Sequence, residues 1–369
     1  MTIERDASVH EGCRCSRRRF IGQFAAGIVG LSLASCAMGA PAEGKVFDAP
    51  GHCSACGMTL IPQPASPPFE PATIGEGKGM FLAAGGKGRE AKRIEVHYHR
   101  PARFGPDSPI LIAIPGAGRN AADYRNAWHD VAERKGVLVA ALGYPEASYD
   151  FAAYQMGGVI RNLRIANLRP GPDGRPPTVV YLKDEDIGFD PNPDPTQWIF
   201  PDFDRIFGLL RTATGSRQTG YDLFGHSAGG QILHRLALFR PQSAARRIVA
   251  ANAGLYTIPD LALPQPIGLQ GSGATPDMLK AGLAAPLTLL LGEADNDGES
   301  GGIQLHTPTI DRYGIDRLSR GRTFFAAGER QAKAMGVRLG WQLRTVPNVG
   351  HEYRGMSAAA AQLLYGQPA

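Results

Sequence analysis

The sequence is short of several things. It holds only five cysteines, no internal repeat, and one sustained apolar run of about fourteen residues, near the N-terminus. A disulfide-dense scaffold needs more cysteine than this, a repeat array needs a period, and a bilayer span needs roughly 20 apolar residues. Charge of one sign is also scarce: 39 Lys and Arg stand against 34 Asp and Glu. So small and dispersed an excess gives no argument for nucleic-acid binding, and none is expected. The acid-rich stretch from Lys183 to Pro195 lacks the spacing of an EF-hand and reads as a solvated loop. What is present is ordinary for a globular chain, 43% apolar and 20% charged. The 47 glycines and 29 prolines are scattered between apolar segments, which implies turns and long loops rather than disorder.

The N-terminal apolar run follows paired arginines in "SRRRFIGQFAAGIVGLSLASC", Ser16 to Cys36. This resembles a twin-arginine export signal joined to a lipobox, in which Leu33, Ala34 and Ser35 precede a lipidated Cys36. Removing residues 1–35 leaves 34 basic against 31 acidic residues, a net charge of +3. Cys13 and Cys15 leave with the signal, so Cys53 and Cys56 of "GHCSACGM" remain free. In an exported protein a CxxC pair reads first as a disulfide. A metal site would want more ligands than the adjacent His52, and no second CxxC follows, so no metal is expected.

Residues 36–76, rich in Pro, Ala and Gly, read as a tether, and 77–369 as the folded body. In the body, period-two or continuous apolar runs ("RIEVHYHRP", "SPILIAIPGAG", "VLVAALGYP", "GYDLFGHS", "RRIVAANAG", "LTLLLGEAD") alternate with helical spacings such as "NAADYRNAWHDVAERKG" and "GQILHRLALFRP". That alternation predicts an α/β fold with a mostly parallel central sheet and helices on both faces. Two long segments interrupt it, Glu146 to Gln197 and Thr257 to Leu283, and read as loops bordering a ligand crevice. The aromatic residues Tyr144, Tyr149, Tyr154, Trp198 and Tyr256 lie near these segments and are candidates to line an acyl or alcohol pocket, against ordinary packing as the alternative.

Within the body "GHSAG", Gly225 to Gly229, matches G-x-S-x-G with a strand before it and a helix after it. This is the setting in which a sharp turn presents a serine hydroxyl clear of a sheet. A hydroxyl is a poor nucleophile at neutral pH and needs a base, which needs an orienting acid. Asp295 stands at the end of the strand "LTLLL", with Asp297 as the rival acid on the same loop. His351 follows the last strand and is the one histidine at a late strand end. An oxyanion requires two N–H donors. Ala228 follows the serine, and the loop "PGAGRN" offers Ala117, with Gly118 as the fallback.

Together Gly116 to Gly118, Ser227, Asp295 and His351 resemble the α/β-hydrolase superfamily over roughly residues 77 to 369. The segment "IPGAGRNAADYRNAWHDVAERKGVLVAAL" is similar to the oxyanion-loop region of polyhydroxybutyrate depolymerases and feruloyl esterase-like enzymes, with Pro115 where the usual loop has histidine. The resemblance implies a cofactor-free serine esterase acting through an acyl-enzyme on a small or polymeric ester. A peptidase or amidase would use the same residues, and a surface lipoprotein keeping the fold only for binding would be expected to have lost them. If Cys36 is acylated, a lipid anchor at the cell envelope is expected. The oligomeric state is not legible in these residues.

Overall fold

A computed structural model describes residues 51–52, 59–60, 68–169, 177–296, 298 and 301–366. Cys36, Cys53, Cys56 and Asp297 therefore lie outside the described residues. The chain divides into two units, Met1–Pro67 and Pro68–Ala369. In the first, β1 (Gly51–His52) pairs antiparallel with β2 (Thr59–Leu60), Gly51 opposite Leu60 and His52 opposite Thr59. Among the described residues no helix is long and apolar enough to cross a membrane.

The second unit is built on an eight-stranded sheet. Its strands are β3 (Gly77–Ala84), β4 (Arg93–Arg100), β5 (Ile110–Ile114), β6 (Leu138–Gly143), β10 (Tyr221–His226), β11 (Ala245–Ala251), β12 (Leu287–Gly292) and β14 (Gln342–Val346). Their spatial order is β14-β12-β11-β10-β5-β6-β4-β3. β3 and β4 are antiparallel to their neighbours and the other six strands run parallel. This is the α/β-hydrolase architecture the sequence predicts. Residues 68–76, assigned to the tether from the sequence, pack with this body: Phe69 bridges Leu82, and Glu70 accepts from the Ala84 N–H.

Strand period two sorts the core into layers. Ile110, Ile112 and Ile114 face one side, against α4 (Phe200–Thr214), α5 (Ala228–Phe239), α6 (Pro276–Ala284) and α8 (Arg317–Met335). Leu111 and Ala113 face the other, against α1 (Ala121–Ala127), α2 (His129–Lys135) and α9 (Tyr353–Tyr365). All five residues are fully buried, and each large apolar side chain so placed contributes about 1.5–3 kcal/mol. The stretch predicted as one helix after "PGAGRN" is two, broken at Trp128, whose backbone (φ −98°, ψ 0°) caps one helix and opens the next. Gly136 and Gly215 stop α2 and α4 in the left-handed conformation.

The segment 146–197, predicted as loop, carries secondary structure: α3 (Phe151–Tyr154), β7 (Ile160–Ile165), β8 (Val179–Tyr181) and β9 (Ile187–Pro191). β7 and β9 form an antiparallel ribbon whose register shifts between Arg161 and Arg164, where Asn162 adopts φ 51°. β8 pairs with β13 (Gln304–His306), which precedes α7 (Pro308–Asp311). These strands are short; β7 exposes Arg161 and Arg164, and β8 and β9 bury little, whereas Gln304 and His306 of β13 are buried. The four aspartates of the acid-rich stretch are engaged locally: Asp184 with Thr309, Asp186 with Asn167, Asp190 with Asn162 and Asp194 with Thr196.

Candidate active site

Ser227 lies between the end of β10 and the start of α5 with φ 57° and ψ −116°, a conformation that side chains other than glycine rarely adopt. The glycines around it are required by close backbone approach. A Cβ on Gly225 would lie 2.5 Å from the Gly229 carbonyl oxygen, and one on Gly229 would lie 2.1 Å from the Ile114 oxygen. The turn thus packs β10, α5 and the end of β5 closely enough to lift the serine off the sheet.

The three residues expected to act together meet. His351 Nε2 is 2.9 Å from Ser227 Oγ, and His351 Nδ1 is 2.9 Å from Asp295 Oδ2. Asp295, at the turn after β12, is 1% exposed. Asn252, at the end of β11, joins the two loops that carry the acid and the histidine. Its Oδ1 accepts from Gly292 N–H at 2.8 Å and its Nδ2 donates to Gly350 O at 2.9 Å. Gly302 lies against the imidazole, where a Cβ would come within 2.9 Å of His351 Cδ2.

Ala228 is the first residue of α5, where an N–H has no acceptor within the helix. Ala117 lies in a turn closed by the Arg119 N–H donating to Gly116 O at 3.0 Å. Two buried tyrosines and the half-buried Arg119 hold this turn. Tyr154 Oη donates to Pro115 O at 2.8 Å. The Arg119 guanidinium donates to the carbonyls of Tyr144 and Tyr149 and lies over the Tyr154 ring. The Tyr124 hydroxyl accepts from Gly116 N–H at 3.0 Å and directs its hydrogen at His226 Nδ1, 3.1 Å away. Burial pushes the Tyr124 phenol well above its ordinary range, and burial, then the charges of His351 and Arg317, push His226 well below its own. A neutral imidazole accepting at Nδ1 is the state this demands.

Above Ser227 opens a cleft of about 570 Å³. Its polar end holds the 116–120 turn, His226 and His351; its apolar wall includes Phe151, Leu182, Leu255, Ile303 and Leu305. None of the five aromatic residues singled out from the sequence lines it. Tyr144, Tyr149, Tyr154, Trp198 and Tyr256 are at most 5% exposed and belong to the core beneath, so packing claims them all. Sequence reasoning also passed over Tyr124, Asn252 and Arg317. Tyr124 falls in a stretch read from the sequence only as a helix, and nothing in the chain around Arg317 marks an arginine that turns inward.

Comparison with known proteins agrees with the fold. Over 79% of this chain and 100% of the other, the structure is similar to poly(aspartic acid) hydrolase-1 from Sphingomonas sp. KT-1, with a TM-score of 0.67 and 34% identity. The chain is an α/β-hydrolase. This hydrolase is also similar to a poly(3-hydroxybutyrate) depolymerase from Bordetella parapertussis, with a TM-score of 0.65 and 29% identity over 79% of this chain and 91% of that one. No curated protein sequence gives a significant match. Residues 35–63 match the family model described as "Heavy metal binding domain". That match covers Cys53 and Cys56, for which the sequence favoured a disulfide and no metal.

Proposed function

We propose that this hydrolase is an exported serine esterase. The observation that carries the reading is the pair of 2.9 Å contacts by which His351 joins Ser227 Oγ to Asp295. In this reading His351 Nε2 takes the serine proton as Oγ attacks the ester carbonyl, and Asp295 stabilises the imidazolium that forms. The N–H groups of Ala117 and Ala228 receive the oxyanion. Collapse expels the alcohol, which His351 protonates, and water attacks the acyl-enzyme by the same path in reverse.

The cleft favours an apolar acyl chain or polyester over a polyanion. The two arginines in its lining are engaged with the protein: Arg119 with carbonyls, Arg317 with Asp295. The wall beyond Ser227 is aliphatic and aromatic. The twin-arginine and lipobox pattern supports export with Cys36 as lipid anchor. For residues 35–63 the family match supports a second reading, in which Cys53 and Cys56, with His52 beside them, bind a soft metal ion.

A p-nitrophenyl ester series from acetate to dodecanoate, beside the matching anilides, tests the esterase reading. Serine-dependent turnover of esters, favouring apolar acyl chains, is expected. Turnover of anilides alone would replace the esterase with an amidase.

A further inference from the structure

Arg317 is the first residue of α8, and the helix start is pinned by Asp316, whose side chain accepts from Ser319 N–H at 2.7 Å. Instead of reaching solvent, as a long cationic side chain at a helix end normally does, Arg317 turns inward and is 2% exposed. Its Nη1 donates to Asp295 Oδ1 at 2.9 Å and its Nη2 donates to Gly301 O at 2.7 Å. The next residue of the helix, Leu318, donates its N–H to the Asp295 carbonyl at 3.1 Å. Asp295 is thus gripped at three oxygens: its carbonyl by Leu318, Oδ1 by Arg317 and Oδ2 by His351.

A guanidinium is costly to bury and is retained in a dry site only where its geometry is used. Here it does two things. It takes the carboxylate oxygen that His351 does not use, so the carboxylate cannot rotate and Oδ2 stays facing Nδ1. It also holds Gly301, whose neighbour Gly302 packs against the imidazole. We infer that Arg317 is a positioning residue that acts through Asp295, holding the acid and the adjoining glycine segment so that His351 stays aligned with Ser227. This rests on the serine-esterase reading above.

Because Arg317 also borders the cleft, the competing role is direct contact with an anionic part of the substrate. Kinetics on the full chain, normalised to sites titrated with a fluorophosphonate, separate the two. Arg317→Gln is expected to lower kcat about 10- to 100-fold with KM within about twofold of wild type, and Arg317→Lys to recover part of the loss. A rise in KM at unchanged kcat would assign Arg317 to substrate binding and overturn the inference. Unchanged kcat and KM in Arg317→Gln would overturn it as well.

Arg317→Gln alone leaves the Asp295 carboxylate without its cation, so the double variant Asp295→Asn/Arg317→Gln, which buries no unpaired charge, completes a cycle. If Arg317 acts through Asp295, the double variant matches Asp295→Asn to within about twofold. Losses that multiply would show that Arg317 acts by another route. Failure of the esterase reading looks different: Ser227→Ala or Asp295→Asn would then retain wild-type turnover.

Discussion

Removing one oxygen from Tyr124 tests how the turn at Gly116, proposed to receive the oxyanion, is held. In Tyr124→Phe the ring still stacks on Tyr353, 4.6 Å away between centroids, so packing is nearly conserved. What disappears is the hydroxyl that accepts from Gly116 N–H and donates to His226 Nδ1. Tyr124 is 2% exposed and His226 4%, so water cannot readily replace it. Rotating the His226 ring brings no relief, since its other nitrogen, Nε2, is already buried without a partner among the described residues. Leaving a buried donor or acceptor unpaired costs about 1–3 kcal/mol, so two such groups should cost about 2–6 kcal/mol, read as a lower urea midpoint at unchanged m-value. Gly116 adjoins Ala117, and losing an oxyanion donor outright lowers kcat by about 10²–10³. A donor displaced but still present should lower it about tenfold, with KM little changed. Wild-type stability and kcat in Tyr124→Phe would refute this account and leave Tyr154 and Arg119 as sufficient anchors of the turn.

Two other predictions concern charge and metal. Buried Asp202 on α4 has its carboxyl pushed up to about 6 by desolvation, against the opposing pull of Arg89 and Arg205. The folded state therefore holds that proton more tightly than the unfolded chain. The stability it contributes is present below about pH 4 and lost as pH rises through about 6, at most about 3 kcal/mol. The difference between wild type and Asp202→Asn in urea titrations from pH 4 to 7 should show that decline, and a pH-independent difference would contradict it. For residues 35–63, the full chain purified under reducing conditions should bind zinc in a stoichiometry that falls in Cys53→Ser/Cys56→Ser while ester turnover is kept. Equal zinc in both forms, with the two cysteines oxidised to each other in the untreated protein, would return the pair to a disulfide.

The site was legible where local chemistry and context coincide. "GHSAG" between a strand and a helix leaves little freedom, because the flanking glycines answer to backbone contacts that any such turn must make. Asp295 was legible because it follows the plain apolar run "LTLLL", and His351 because it is the one histidine after the last strand, although that strand, "QLRTV", is itself polar and largely exposed. The β7–β9 ribbon and the β8–β13 pair were not: β7 is bulged and carries two arginines, and β8 and β13 are only three residues long, too short to show a period. The tyrosines near the strand ends were read as pocket walls because sequence gives position along the chain and not depth. Tyr144 and Tyr154 lie fully buried below the cleft, and the Tyr154 hydroxyl donates to Pro115 O from beneath the turn. Asn252 and Arg317 act across separations of 98 and 22 residues, for which a single sequence carries no signal.

The most direct test of the central claim is labelling by a fluorophosphonate, with the modified residue mapped by mass spectrometry in wild type, Ser227→Ala and His351→Ala. The account predicts one label per chain at Ser227, none in Ser227→Ala, and labelling slowed at least about a hundredfold in His351→Ala, where the hydroxyl has lost its base. A label on another residue, or equal rates in wild type and His351→Ala, would contradict it.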